Sequence, residues 1–135
     1  MLGISEHNTA TAWWLALVVG LVVTVPTALT GLIEWLFLTW GSPIWRTATL
    51  HMFAMLTATV FFLLAAIFGH GGYVDGEVTA GSLLLTLVGF GSLTLGCWLG
   101  GTIVFVHGMR VLNLVDEPPE RAAIPGGAEK EEAEA

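Results

Sequence analysis

Basic residues are scarce in this sequence: its 135 residues include only four lysines and arginines, and charged residues of both signs make up 11%. Soluble globular domains carry about 25% charged residues. A nucleic-acid-binding protein needs a positive surface to meet the phosphates, so this composition excludes that class. The low total charge also argues against a soluble domain, and the 55% share of hydrophobic residues favours a membrane protein.

Cysteine is nearly absent as well. The single cysteine, Cys97, excludes an internal disulfide and any metal site built from several cysteines. It lies in an apolar run between Gly96 and Trp98, and we expect it to be a small buried hydrophobic side chain. The sequence shows no nucleophile–base pair and no phosphate-binding loop, so an enzyme acting as an isolated chain is not expected.

The sequence does contain three long apolar runs, Ala12–Trp40, Pro43–Gly69 and Val78–Leu114. Each exceeds the ~20 residues that a helix needs to cross a hydrocarbon core of about 30 Å. We therefore predict an all-α protein with one domain, residues 12–114, in which three transmembrane helices form a bundle. Residues 1–11 are predicted to be a short polar segment, and residues 115–135 an acidic disordered tail.

The basic residues all fall on one side of these three spans. The amino-terminal segment and the loop after the second run contain none, whereas the first loop and the tail contain all four: Arg46, Arg110, Arg121 and Lys130. Cytoplasmic loops of membrane proteins carry an excess of lysine and arginine. We therefore expect the amino terminus outside and the carboxyl terminus in the cytoplasm, in a multi-pass protein of a bacterial-type inner membrane.

Two local features interrupt the apolar pattern. Pro26 lies in the middle of the first run and should kink that helix. The glycine-rich segment 69–73 is predicted to be the turn that stops the second helix. His7 and His70 lie near the outer side of the predicted bundle, where we expect solvated or interfacial side chains.

Three ionisable residues are predicted to meet in one layer near the cytoplasmic surface. At a rise of 1.5 Å per residue, Glu34 and His51 each lie about 9 Å inside the boundary. His107, near the end of the third run, lies at a comparable depth. Ionisable side chains at membrane depth are costly and are therefore functional candidates. Arg46 and Arg110 lie at the edge of this layer.

The third run carries a stripe of glycines that leads to one of these histidines. Gly89, Gly96, Gly100 and His107 are separated by 7, 4 and 7 residues. On a helix these positions fall within about 20° of one line. The stripe predicts a groove without side chains, which allows close approach of another backbone or leaves room for a flat macrocycle.

Three hypotheses explain this layer. In the first, a b-type haem is ligated by His51 and His107, lies beside Gly96 and Gly100, and has its propionates neutralised by the two edge arginines. In the second, Glu34 joins the two histidines to hold a non-haem metal or to relay protons. In the third, Glu34 pairs with His51 or Arg46, His107 caps backbone carbonyls, and the glycines only pack helices.

Three short motifs follow one another along the membrane part of the chain: Thr30–Trp35, Arg46 with His51 five residues later, and Trp98–Gly101 leading to His107–Gly108. Over residues 19–111 they resemble the DUF2231 family of helical membrane proteins. That family shows a Gly-Leu-Ile-Asp stretch, a histidine early in the next helix and a closing Leu-Gly-Gly…His-Gly segment. Glu34 stands here where the family tends to have aspartate.

The resemblance implies a helical membrane domain that some members join to Rieske-type iron–sulfur modules, and hence redox surroundings. It draws attention to six residues: Glu34, Arg46, His51, Gly100, Gly101 and His107. The family usually begins with an extra helix carrying a His-Pro pair, which has no counterpart in this sequence. A site that uses that helix would need a partner chain to complete it.

Two functions are therefore expected as alternatives. The first is an electron-transfer subunit, a small cytochrome-like anchor in a larger membrane redox complex. The second is an accessory subunit without a cofactor, which packs against larger subunits or against copies of itself and stabilises the assembly. The glycine groove would also accept a lipid or a quinone.

Overall fold

The computed structural model describes residues 6–109 and residue 111. The predicted acidic tail, Arg110 and the side chain of His7 lie outside this part of the chain. Within it the protein contains only helices, with the order α1 (Glu6–Leu36), α2 (Pro43–Asp75) and α3 (Ala80–Phe105). All three are long and apolar enough to cross a membrane, which confirms the prediction of an all-α chain with three such helices.

Local sequence sets the start of α2 and of α3. The Ser42 hydroxyl accepts a hydrogen bond from the amide of Trp45 at 3.2 Å, directly before Pro43 in the first turn of α2. Thr79 caps α3 in the same way, with its hydroxyl 3.3 Å from the amide of Ser82. Serine and threonine satisfy unpaired amides at helix starts, and proline is tolerated in the first turn because it has no amide to satisfy.

The prediction that segment 69–73 stops the second helix is wrong. Helix α2 continues through this segment to Asp75 and ends at Gly76, whose φ of 80° is left-handed and whose amide bonds the Gly72 carbonyl. The glycines inside the helix allow close packing instead of a turn. A side chain on Gly69 would collide with the Trp13 ring of α1. The glycine that ends α2 in the left-handed conformation is therefore Gly76.

Helix α2 is the central helix of the three. It packs against α1 on one side and runs antiparallel to α3 on the other, whereas no described Cα atom of α1 lies within 8 Å of one in α3. Apart from Ile103, the buried side chains are small: Ala10, Ala48, Ala58, Ala65, Ala66 and Ser82. Large apolar side chains instead cover the outside, as is typical of helices that pack in lipid through small residues.

Candidate functional site

His51 is a residue of α2, and its imidazole lies against the glycine stripe of α3. Its Nδ1 donates a hydrogen bond to the carbonyl of Gly96 at 2.8 Å. A Cβ atom built on Gly100 would lie 3.2 Å from Cε1 of the imidazole. Gly100 therefore makes room for the histidine ring itself.

Two further α2 side chains fill the rest of the stripe. A Cβ on Gly96 would lie 2.6 Å from the sulfur of Met55, and one on Gly89 would lie 2.8 Å from the ring of Phe62. Moving forward along α2 by a given number of residues moves the facing glycine back along α3 by the same number. The antiparallel register is therefore constant along the pair. The predicted groove thus exists as a feature of α3, but α2 occupies it.

His107 lies two residues beyond the end of α3, because that helix ends at Phe105 and not at the predicted Leu114. Its Nε2 is 3.0 Å from the hydroxyl of Thr47 in the first turns of α2. That hydroxyl donates to the Pro43 carbonyl at 3.2 Å, so its oxygen is left to accept a hydrogen bond from Nε2–H. The histidine therefore ties the end of α3 to the start of α2.

The structure brings His51 and His107 to the α2–α3 interface, where each imidazole has its own hydrogen-bond partner. Thr47, the partner of His107, lies one turn before His51, an axial offset of about 6 Å. Each imidazole bonds a different group, and the space beside them holds α2 side chains. A bis-histidine haem needs both rings to face one iron. In this structure the two rings are held by separate partners, and ligation of a haem by them stays a prediction. Arg46 of α2 is exposed.

Glu34 does not join the two histidines. It is an exposed residue of α1, and no described Cα atom of α1 lies within 8 Å of one in α3. Across residues 6–109, no three histidine, cysteine or acidic side chains are grouped in a way that could hold a metal ion. Among the described residues, Glu34, His51 and His107 are therefore not grouped as ligands of one metal ion.

Cys97 is exposed, so the prediction of a buried thiol is wrong. Its neighbour Gly96 is buried against α2. Successive helix residues are rotated by about 100°, which directs Cys97 away from that contact. In a membrane this position faces lipid or another chain.

Tryptophans join α1 to α2 at both ends of their contact. At one end, the Trp14 indole donates to the Ala66 carbonyl at 2.9 Å and stacks on Tyr73, with ring centroids 4.6 Å apart. At the other end, the Trp35 indole donates to the hydroxyl of Thr49 at 2.9 Å. Long stretches of α1 between these two junctions are exposed.

An open cleft of about 740 Å³ lies between α1 and α2 beside the first junction. The α1 side contributes Trp14, Val18, Leu21, Val22 and Val25, and the α2 side contributes Thr59, Leu63, Ala66, Ile67 and His70. We call it the α1–α2 cleft. Sequence reasoning missed it because segment 69–73 was predicted to be a turn. Helical spacing from Thr59 through Leu63 and Ala66 would have placed His70 on this face.

The site and fold together define a class: over residues 6–109 the protein is helical, and its three helices are each long and apolar enough to cross a membrane. Comparison of the chain with protein-family profiles, with curated proteins and with solved structures finds no match. The resemblance to DUF2231 therefore stays a prediction.

Proposed function

We propose that this protein is a small accessory subunit of a larger membrane complex. Its three helices cross a bacterial-type inner membrane with the amino terminus outside and the carboxyl terminus in the cytoplasm. It acts by packing α1 against a helix of a partner chain and stabilising the assembly. The α2–α3 pair holds no cofactor in this proposal, because its own side chains fill the groove.

The observation that carries the proposal is a smooth, uncovered face of α1. Gly20, Thr24, Thr27 and Gly31 follow one another at spacings of 4, 3 and 4 residues, which places them within about 60° of each other on the helix. A Cβ atom on Gly20 or Gly31 would meet nothing within 4 Å. The two threonine hydroxyls bond carbonyls of their own helix, at 2.8 and 3.0 Å.

The glycines of the α2 and α3 interfaces show what such positions do when they are covered. Gly69, Gly89 and Gly96 each receive a side chain from a neighbouring helix. Glycine inside a helix costs about 1 kcal/mol relative to alanine, and close approach of a second helix offsets that cost in lipid. Gly20 and Gly31 of α1 are also glycines inside a helix, but no described group covers them. This difference supports a partner helix on the α1 face.

Replacing both Gly20 and Gly31 by leucine should release the protein from its complex. The added side chains would hold a partner backbone away from α1, so the chain should migrate as a free subunit in native electrophoresis of mildly solubilised membranes. The matched control is Gly91→Leu, because Gly91 on α3 is equally open and should leave the large species intact.

Two outcomes would contradict the proposal that α1 packs against a partner helix. One is a large species that survives both α1 changes, and the other is equal loss in the control. Differently tagged copies, purified together from the same membranes, show whether the partner is a second copy of this chain or a different subunit.

The alternative electron-transfer function is tested by absorption. Because the imidazoles of His51 and His107 are both engaged and the groove is filled, we expect the protein purified from its native membrane to show no Soret band. A Soret band that disappears in the His107→Ala variant would overturn this expectation. It would mean that α2 and α3 open around a haem, as in the predicted cytochrome-like anchor.

A further inference from the structure

The α1–α2 cleft has one polar end and an apolar remainder. At the polar end the ring of His70 lies edge-on to Trp14, with ring centroids 5.4 Å apart. Deeper along the cleft the lining side chains are aliphatic, apart from Thr59. The Thr59 hydroxyl donates to the Met55 carbonyl of its own helix at 2.8 Å. The cleft therefore presents hydrogen-bonding capacity at one end only.

His70 differs from the two histidines of the α2–α3 interface. His51 and His107 both use a ring nitrogen in a hydrogen bond. His70 is exposed, and within the described residues its imidazole makes ring contacts but no hydrogen bond. Trp14 does not compete as a donor, since its indole N–H is bonded to Ala66. The imidazole of His70 is thus the group that can bind a ligand at this end.

The length of the cleft matches one leaflet of a membrane. From Trp14 to Val25 the helix rises about 16 Å, about half of a hydrocarbon core of about 30 Å. A single flexible chain that enters from one leaflet would lie along it. The volume of about 740 Å³ falls within the range of ordinary ligand sites, about 300–1,000 Å³.

The two tryptophan junctions limit how an occupant can reach the space between α1 and α2. A helix with its side chains is about 10 Å wide, so it could lie across the open side of the cleft but not between α1 and α2 at one of the tryptophan junctions. Those junctions are closed by the contacts of Trp14 with Ala66 and of Trp35 with Thr49. An occupant that lies between the two helices enters sideways from the lipid and is thin.

We propose that the α1–α2 cleft binds an isoprenoid quinone. Its planar head lies beside the ring of Trp14 and accepts a hydrogen bond from His70 through a carbonyl oxygen. Its apolar tail runs along Val18, Leu21 and Leu63 towards the middle of the membrane. The proposal concerns binding alone and is independent of the partner helix on the smooth face of α1.

The test uses the full chain in phosphatidylcholine nanodiscs, titrated with decylubiquinone while the fluorescence of its tryptophans is followed. Saturable quenching is expected. Val18→Phe combined with Leu63→Phe fills the cleft and should weaken binding by about tenfold or more. His70→Ala removes the donor and should weaken it about fivefold, whereas His70→Gln keeps a donor and should recover part of the loss.

The matched control is Leu84→Phe, because Leu84 is an exposed leucine of α3, a helix that contributes no residue to the lining of the cleft. It should bind decylubiquinone as the unchanged protein does, and circular dichroism should show equal helicity in all variants. Quenching that does not saturate, or that survives the filled cleft and His70→Ala alike, overturns the proposal. Retention of phosphatidylcholine that the filled cleft abolishes, without quinone binding, would also overturn it and assign the cleft to a phospholipid chain.

Discussion

Replacing Gly72 by alanine is expected to destabilise the α2–α3 connection by about 3 kcal/mol, at the upper end of overpacking costs. The added methyl group would collide with the carbonyl oxygen of Glu77, which is a backbone atom and cannot swing aside. The Gly72 carbonyl also accepts hydrogen bonds from the amides of Gly76 and Glu77, the latter at 2.7 Å. Relieving the collision would therefore disrupt the end of α2. Unfolding by SDS in mixed micelles measures the loss.

Gly71 provides the matched control for this experiment. It is the neighbouring residue in the same helix, and a Cβ atom there would meet nothing within 4 Å. Gly71→Ala should be neutral or stabilising by about 0.5–1 kcal/mol, because alanine favours the helix. Equal unfolding curves for the two variants would show that Gly72 does not approach Glu77 as described.

The second large effect is expected at Gly89, where the ring of Phe62 lies against α3. Gly89→Ala places a methyl group 2.8 Å from that ring, so the ring or the helices must move apart. We expect a loss of about 1–3 kcal/mol. Gly91→Ala, two residues further along α3, should cause no loss, because a Cβ atom there would meet nothing within 4 Å.

A second substitution separates this steric effect from a general preference for glycine. Phe62→Ala by itself removes packing and destabilises the pair. In the double variant with Gly89→Ala the collision is absent, so the combined loss should be smaller than the sum of the two single losses. Contacting residues typically show coupling of about 0.5–3 kcal/mol in such cycles. Additive losses would contradict direct contact between Phe62 and Gly89.

The number and class of the elements were predictable from the sequence. Three apolar runs of sufficient length predict three helices, because a helix is the structure that satisfies its backbone within one segment. The beginning of α2 at Pro43 follows from the Ser-Pro pair before an apolar run. The boundaries near glycine and histidine were predicted less well: α2 passes through Gly69, and α3 ends before His107.

The site was predicted only in part, for a reason that concerns contacts between helices. Helical spacing places glycines of α3 on one line, but it does not say which groups lie opposite them. Only the antiparallel register of α2 and α3 sets His51 against Gly100 and Met55 against Gly96. Spacing also placed Glu34 at the depth of His51, yet depth carries no information about which helices are neighbours.

The scarcity of basic residues and the three apolar runs by themselves determined the class of protein, because composition and length decide whether a segment is suited to lipid or to water. The tertiary structure alone decided what the histidines do. It engages His51 and His107 in helix packing and leaves His70 at the open end of the α1–α2 cleft. Such contacts depend on the relative position of separate helices, which the pattern along any single helix does not encode.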